Sequence, residues 1–163
     1  MVHFVGAGPG APDLITVRGK KLLEEADMII YAGSLVNPQL LDYATEKCKI
    51  YDSSKMTLEQ VIETIVKAHE ADPDISIVRL HTGDPSIYGA IREQMDELDK
   101  HSVTYDDCPG VSSFFGAAAC KWNIRCLMFP RVLLSQEWQA EHRFLQRKVL
   151  HLLRHIRQLW CFS

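Results

Sequence analysis

VHFVGAGPGAPDLITVRG, residues 2–19, decides the fold. Val2 to Val5 is a short apolar run of the kind that forms a buried strand, Gly6-Ala7-Gly8-Pro9-Gly10 breaks it with a glycine-rich turn, and Thr16 to Ala26 returns apolar residues at helical spacing. The order is strand, loop, helix. Downstream the unit recurs: Met28 to Tyr31 reads as a second strand, Ala32 to Asn37 as a loop, and Pro38 as the opening of a short helix, where a missing N–H costs nothing. Cys48 to Tyr51 is a third strand. Thr57-x-x-Gln60 is a capping box that predicts a helix to about Glu70, with Ile62, Ile65, Val66 and His69 on its inner stripe. Ile75 to Leu80, continuous and β-branched, reads as a central parallel strand, followed by the loop Gly83-Asp84-Pro85 and a helix from Ser86 to Leu98. Val103 to Tyr105, Pro109-Gly110 and the run Val111 to Ala119 repeat the unit a fifth time.

Alternating strands and helices joined by short loops predict an open, mainly parallel five-stranded α/β sheet with helices on both faces. In such a sheet ligands bind outside the carboxyl ends of the strands. Those ends carry Gly6–Gly10, Ala32–Asn37, Ser53–Met56, Thr82–Ser86 and Pro109–Ser113, so the loops rich in Gly, Pro, Ser and Asp fall on one edge. Topology selects the active edge.

Composition narrows the rest. The chain has 163 residues, 47% apolar and 24% charged, enough to bury a core and too apolar for a disordered tail. It contains no run near the roughly 18 apolar residues of a membrane span and no export pattern at its start, so a cytoplasmic protein is expected. Five cysteines at irregular spacings, Cys48, Cys108, Cys120, Cys126 and Cys161, argue for reduced thiols. Cys48 and Cys108 read as small core or near-core residues. Cys120, Cys126, His151, His155 and Cys161 match no zinc spacing, and no metal site is expected.

Gly6-x-Gly8-x-x-Ala11 satisfies the dinucleotide fingerprint in form only, because Pro9 and Pro12 delay the helix to about Thr16 and Asp27 precedes the second strand instead of ending it. A nicotinamide or flavin site is not expected. The whole string GAGPGAPDLITVRG is more specific. It is followed in order by YAGSLVNPQLL, DSSKMTLEQ, RLHTGDPSIYGAIREQM and PGVSS, and residues 2 to 119 thereby resemble the tetrapyrrole methylases, in particular the group that methylates C11 of cobalt-precorrin-4.

The resemblance implies S-adenosylmethionine as methyl donor, a tetrapyrrole (corrinoid precursor) as substrate, no metal required by the protein, and a homodimer. Carried over by motif, it implies donor contacts at Pro9, Thr82, Gly83, Asp84, Ile87, Ser112 and Ser113. Asp84 and Ser112 can equally cap the helices they precede, and the two roles can coexist. Lys55 is a candidate for a substrate carboxylate or a solvated lysine, and His81 for a ligand contact or a packed histidine. Relatives acting on uroporphyrinogen carry an Asp after the second-strand Tyr; here Tyr31 is followed by Ala32, so no general base is assigned.

After residue 119 the sequence changes character. All nine glycines lie at or before Gly116, all three tryptophans after it, and the formal charge turns from -9 over residues 1–119 to +6 over residues 120–163. The division expected is a methylase domain over 1–119 and a non-family basic tail over 120–163, derived from a shifted reading frame or a damaged gene. Leu145, Val149, Leu152, Ile156 and Leu159 also suit a basic amphipathic helix, so a non-catalytic binding module is the alternative to an impaired enzyme. Membrane attachment is the lesser expectation, and nucleic-acid binding is not expected, since no recognition fold accompanies the charges.

Overall fold

The computed structural model describes residues 1–88 and 91–120. The expectations placed on residues 121–163, the amphipathic stripe and the cysteine and histidine positions among them, lie outside the described residues. Five strands, β1 (Val2–Gly6), β2 (Met28–Tyr31), β3 (Lys49–Asp52), β4 (Ile77–His81) and β5 (Tyr105–Cys108), form one sheet in the order β3-β2-β4-β1-β5. All four pairings are parallel, with Val2 opposite both Ile77 and Tyr105, and Met28 opposite both Ile77 and Lys49. The sheet is the one the alternation predicts.

Side-chain alternation divides the core in two. Val2, Phe4, Met28, Ile30 and Ile77 face α2 (Leu58–Ala71) and α4 (Ile91–Lys100), which supply Val61, Ile62, Ile65 and Leu98. Val5, Ile29, Val78 and Leu80 face the opposite way, toward α1 (Val17–Glu24) and the 3-10 segment Pro38–Tyr43, which supply Leu23 and Leu40. Each of these fully buried aliphatic side chains contributes roughly 1.5–3 kcal/mol through removal from water. Helix starts follow the chemistry of their caps. Thr16 accepts from Gly19 N at 3.1 Å to open α1, and Thr57 and Gln60 close a reciprocal box at 3.3 and 2.9 Å to open α2.

Several boundaries differ from the sequence expectation. The third strand runs Lys49–Asp52, the fourth Ile77–His81 and the fifth Tyr105–Cys108, because pairing with a neighbour, not apolar content, sets a strand's ends. Asp106 and Asp107 therefore sit in an edge strand. The helix expected over 86–98 is described as α3 (Pro85–Tyr88) and α4 (Ile91–Lys100), on either side of residues 89–90, which lie outside the described residues. A further helix, α5 (Ser113–Cys120), follows the fifth loop. In α2 the buried stripe is Val61, Ile62 and Ile65, with Val66 and His69 only partly covered. None of the helices among the described residues is long and apolar enough to cross a membrane.

Candidate functional site

Three loops at the carboxyl end of the sheet are joined backbone to backbone. Ala7 N donates to His81 O at 2.7 Å, Gly8 N to Gly83 O at 3.2 Å and Gly83 N to Gly8 O at 2.8 Å, so the loops after β1 and β4 continue pairing beyond the sheet. The loop after β5 closes onto both. A Cβ on Gly6 would stand 2.6 Å from Gly110 Cα and from Gly83 O, and a Cβ on Gly110 would overlap the Gly83 carbonyl and stand 2.7 Å from Gly6 Cα. Real side chains do not approach so closely, so the crossing requires glycine. Gly83 also holds φ 63°, a left-handed conformation that other residues adopt at a cost, with Ser113 Oγ 3.0 Å from where its Cβ would be.

Asp84 ties this junction together. Its Oδ1 accepts from Ser86 N at 2.9 Å and from the Ser86 hydroxyl, while its Oδ2 accepts from Gly110 N at 3.1 Å. Ser112 Oγ accepts from Phe114 N at 3.2 Å. Both residues therefore cap helices, as the sequence allows. Thr82 is half-buried, Ser112 buried, and Pro9 lies against Gly116, where an added Cβ would collide with its ring. Ile87 is 64% exposed on α3, an apolar side chain held at the rim without covering.

The loops after β2 and β3 form a second junction. Ser53 Oγ donates to Tyr31 O at 2.9 Å, Asp52 Oδ1 accepts from Ser54 N at 2.8 Å, and Gly33 lies directly against Ser54. Hydrogen bonding to Ser54 holds the Asp52 carboxyl below its ordinary range. Lys55 is exposed in this loop, apart from the glycine crossing. Asn37 connects the two junctions: its Nδ2 donates to Gly10 O at 2.8 Å while its Oδ1 accepts from Gln39 N at 3.0 Å. Sequence reading names neither Asn37 nor Gly110 as a functional position; Asn before Pro38 was the available signal for the first. Asn37→Ala, losing one loop tie and one cap, is expected to cost about 1–2 kcal/mol in urea unfolding.

Two buried polar atoms beneath the rim, His81 Nε2 and Asp107 Oδ1, have no hydrogen-bond partner among the described residues. Burial, with the Arg79 charge second, pushes the His81 pKa down to about 3. Burial and the neighbouring carboxylates of Asp84 and Asp106 push Asp107 up. His81 thus folds neutral. Its stability contribution is complete above the ordinary histidine value of 6.5 and is lost as pH falls toward 3, because the unfolded chain takes up a proton that the folded one refuses. Unfolding free energy is expected to fall by roughly 1 kcal/mol per pH unit over this range, with Asp107 opposing it at the acid end. His81→Asn should flatten the slope in pH-dependent urea titrations. Cys108 is buried and Cys48 half-buried, and burial raises both thiols, so neither is primed as a nucleophile.

Asp27, immediately before β2, accepts from Ser76 N at 2.9 Å and acts as a strut between strand ends.

An open parallel sheet whose glycine turns fuse over one edge defines a class: an α/β domain of the kind whose ligand sites lie outside the carboxyl ends of its strands. The chain belongs to the tetrapyrrole (corrin/porphyrin) methylases, whose family model matches residues 1–122. It is 58% identical over 118 residues to a cobalt-precorrin-4 C(11)-methyltransferase of Methanocaldococcus jannaschii, covering 72% of this chain and 45% of that protein. Among solved structures, a cobalt precorrin-4 methyltransferase matches with a TM-score of 0.69 at 43% identity, over 73% of this chain and 49% of that one. A uroporphyrin-III C-methyltransferase from Thermus thermophilus, complexed with S-adenyl homocysteine, matches with a TM-score of 0.59 at 32% identity, over 72% of this chain and 47% of that one. The chain thus spans about half the length of the curated relatives it matches.

Proposed function

We propose that residues 1–119 are the donor-holding domain of an S-adenosylmethionine-dependent methyltransferase acting at C11 of cobalt-precorrin-4 or precorrin-4, in cobalamin biosynthesis. The observation that carries this reading is the glycine crossing of Gly6, Gly83 and Gly110, which fuses the loops after β1, β4 and β5 into one rim at the carboxyl edge, where parallel sheets of this kind take their ligands. The chemistry present suits such a donor. Thr82, Ser112 and Ser113 supply hydroxyls, Asp84 supplies carboxylate oxygens for a cationic or hydroxyl-bearing ligand, and Pro9 and Ile87 supply apolar surface. Lys55, exposed in the loop after β3, is the residue we offer for a substrate carboxylate.

The donor supplies an electrophilic methyl group: the bond from methyl carbon to sulfur breaks with its electron pair left on sulfur, as the substrate carbon forms the new bond. The chain's own part is to hold the two reactants in line, which can lower the barrier by several kcal/mol without covalent or metal participation. The fused loops suit this, because they cannot move independently.

Isothermal titration of the full chain with S-adenosylhomocysteine tests the reading. One molecule is expected to bind per chain. Absence of heat across a range of temperatures, with the chain folded by circular dichroism, would overturn it.

A further inference from the structure

A pocket lies beside the rim, away from the glycine crossing. It has a volume of about 250 Å³ and a mainly apolar wall of Met56, Leu58 and Val61, into which Arg79, Gln94 and Glu93 bring polar groups. Arg79 is its unusual member. By register it stands opposite Phe4 and Ile30 in the middle of the sheet, and it is only 7% exposed. Two of its N–H groups are held by neutral oxygens: Nε donates to Gln94 Oε1 at 3.1 Å and Nη1 to Ile30 O at 3.1 Å. No carboxylate among the described residues stands within ion-pair distance of it, although six other ion pairs are formed there. Glu93, the one acid in the wall, is exposed on α4.

Burying a guanidinium without a counter-charge is unfavourable, and its desolvation shows in a pKa lowered to about 10. A buried hydrophobic side chain would fill the same position between Phe4 and Ile30 without that penalty. The residue is therefore suited to a charge that arrives with a ligand. The open fork presents N–H groups in a plane that matches a carboxylate, and the pocket has room for a carboxylate-bearing side arm but not for a macrocycle. Ser53, also in the wall, belongs to the loop after β3 that carries Lys55, so the pocket lies beside the residue offered above for a substrate carboxylate.

We propose that Arg79 binds one peripheral carboxylate of the substrate and so sets the rotation of the macrocycle over the donor. This rests on the reading that the substrate is a polycarboxylate tetrapyrrole. Orientation matters because one carbon among many similar ones must be placed in line. Glu93 at the mouth selects against a carboxylate that enters only part way.

The test uses uroporphyrin I, an octacarboxylate macrocycle, titrated into the full chain by Soret absorbance and fluorescence, alongside its uncharged octamethyl ester in detergent. Uroporphyrin I is expected to bind, and Arg79→Met to weaken it about 10-fold, which is the loss of one charge-assisted contact. Because Arg79→Met alters a buried site, Glu93→Gln provides a surface variant, expected to tighten binding about 3-fold by removing one like charge near the carboxylate. Affinity for S-adenosylhomocysteine in Glu93→Gln should match that of the parent. Equal binding of acid and ester, or uroporphyrin affinity unmoved by Glu93→Gln and by a folded Arg79→Met, would overturn the proposal. Porphyrin binding that depends on Arg79 in a chain deaf to S-adenosylhomocysteine would uphold it and overturn the donor reading instead.

Discussion

Gly110→Ala is expected to cost about 3 kcal/mol or more, the upper end of what overpacking does to a close-packed site. The added methyl would meet the Gly83 carbonyl oxygen and the Gly6 backbone, none of which is a flexible side-chain end that could swing aside. Accommodation would require the loop after β5 to lift. That breaks the bond from Gly110 N to Asp84 Oδ2 and loosens the pairing of Gly8 with Gly83. Urea unfolding followed by circular dichroism measures the loss as a lower midpoint at unchanged slope. Gly6→Ala should cost a similar amount, and the double variant less than the two together, because both methyls enter the same gap and one opening admits both. Additive losses would mean that the loops are not in contact in solution.

Asp84→Ala carries the second large effect, on binding more than on folding. Removing the carboxylate frees Ser86 N at the start of α3 and Gly110 N at the crossing, and folding stability should drop by about 1–2 kcal/mol. Affinity for S-adenosylhomocysteine should fall at least 30-fold, roughly 2 kcal/mol, since both a ligand acceptor and the tie that shapes the pocket are lost. Asp84→Asn, able to keep only one of the two acceptor roles, should fall between. A fully folded Asp84→Ala chain with parental affinity would remove Asp84 from the donor site and leave it a capping residue.

The elements of this fold were largely legible because their signals are local. β-branched runs mark the strands β1, β2 and β4, and Gly, Pro, Ser and Asp mark each loop at the carboxyl edge. Thr57 and Gln60 announced their capping box by spacing alone. What stayed illegible depends on which loop meets which. Gly6 and Gly110 are 104 positions apart, and nothing local distinguishes them from Gly10, which has open space where its Cβ would be. Arg79 hides within the apolar run of β4, where its buried placement follows from registry with Phe4 and Ile30. The edge strand β5 was expected two residues too early at its start and three at its end, because Asp106 and Asp107 look like turn residues until β1 is seen to pair with them and His3 is found 2.6 Å from Asp106. The strand order β3-β2-β4-β1-β5 is likewise a property of the assembled sheet.

The proposal that the rim is a nucleoside-sulfonium pocket is tested most directly by mapping amide shifts in nitrogen-labelled protein during titration with S-adenosylhomocysteine. Saturable shifts concentrated at Gly8, Gly83, Asp84, Gly110 and Ser112, and smaller at the α2–α4 cleft lined by Ile62, Val66 and His101, are the expected result. Shifts confined to that cleft, or none at the three joined loops, would contradict it.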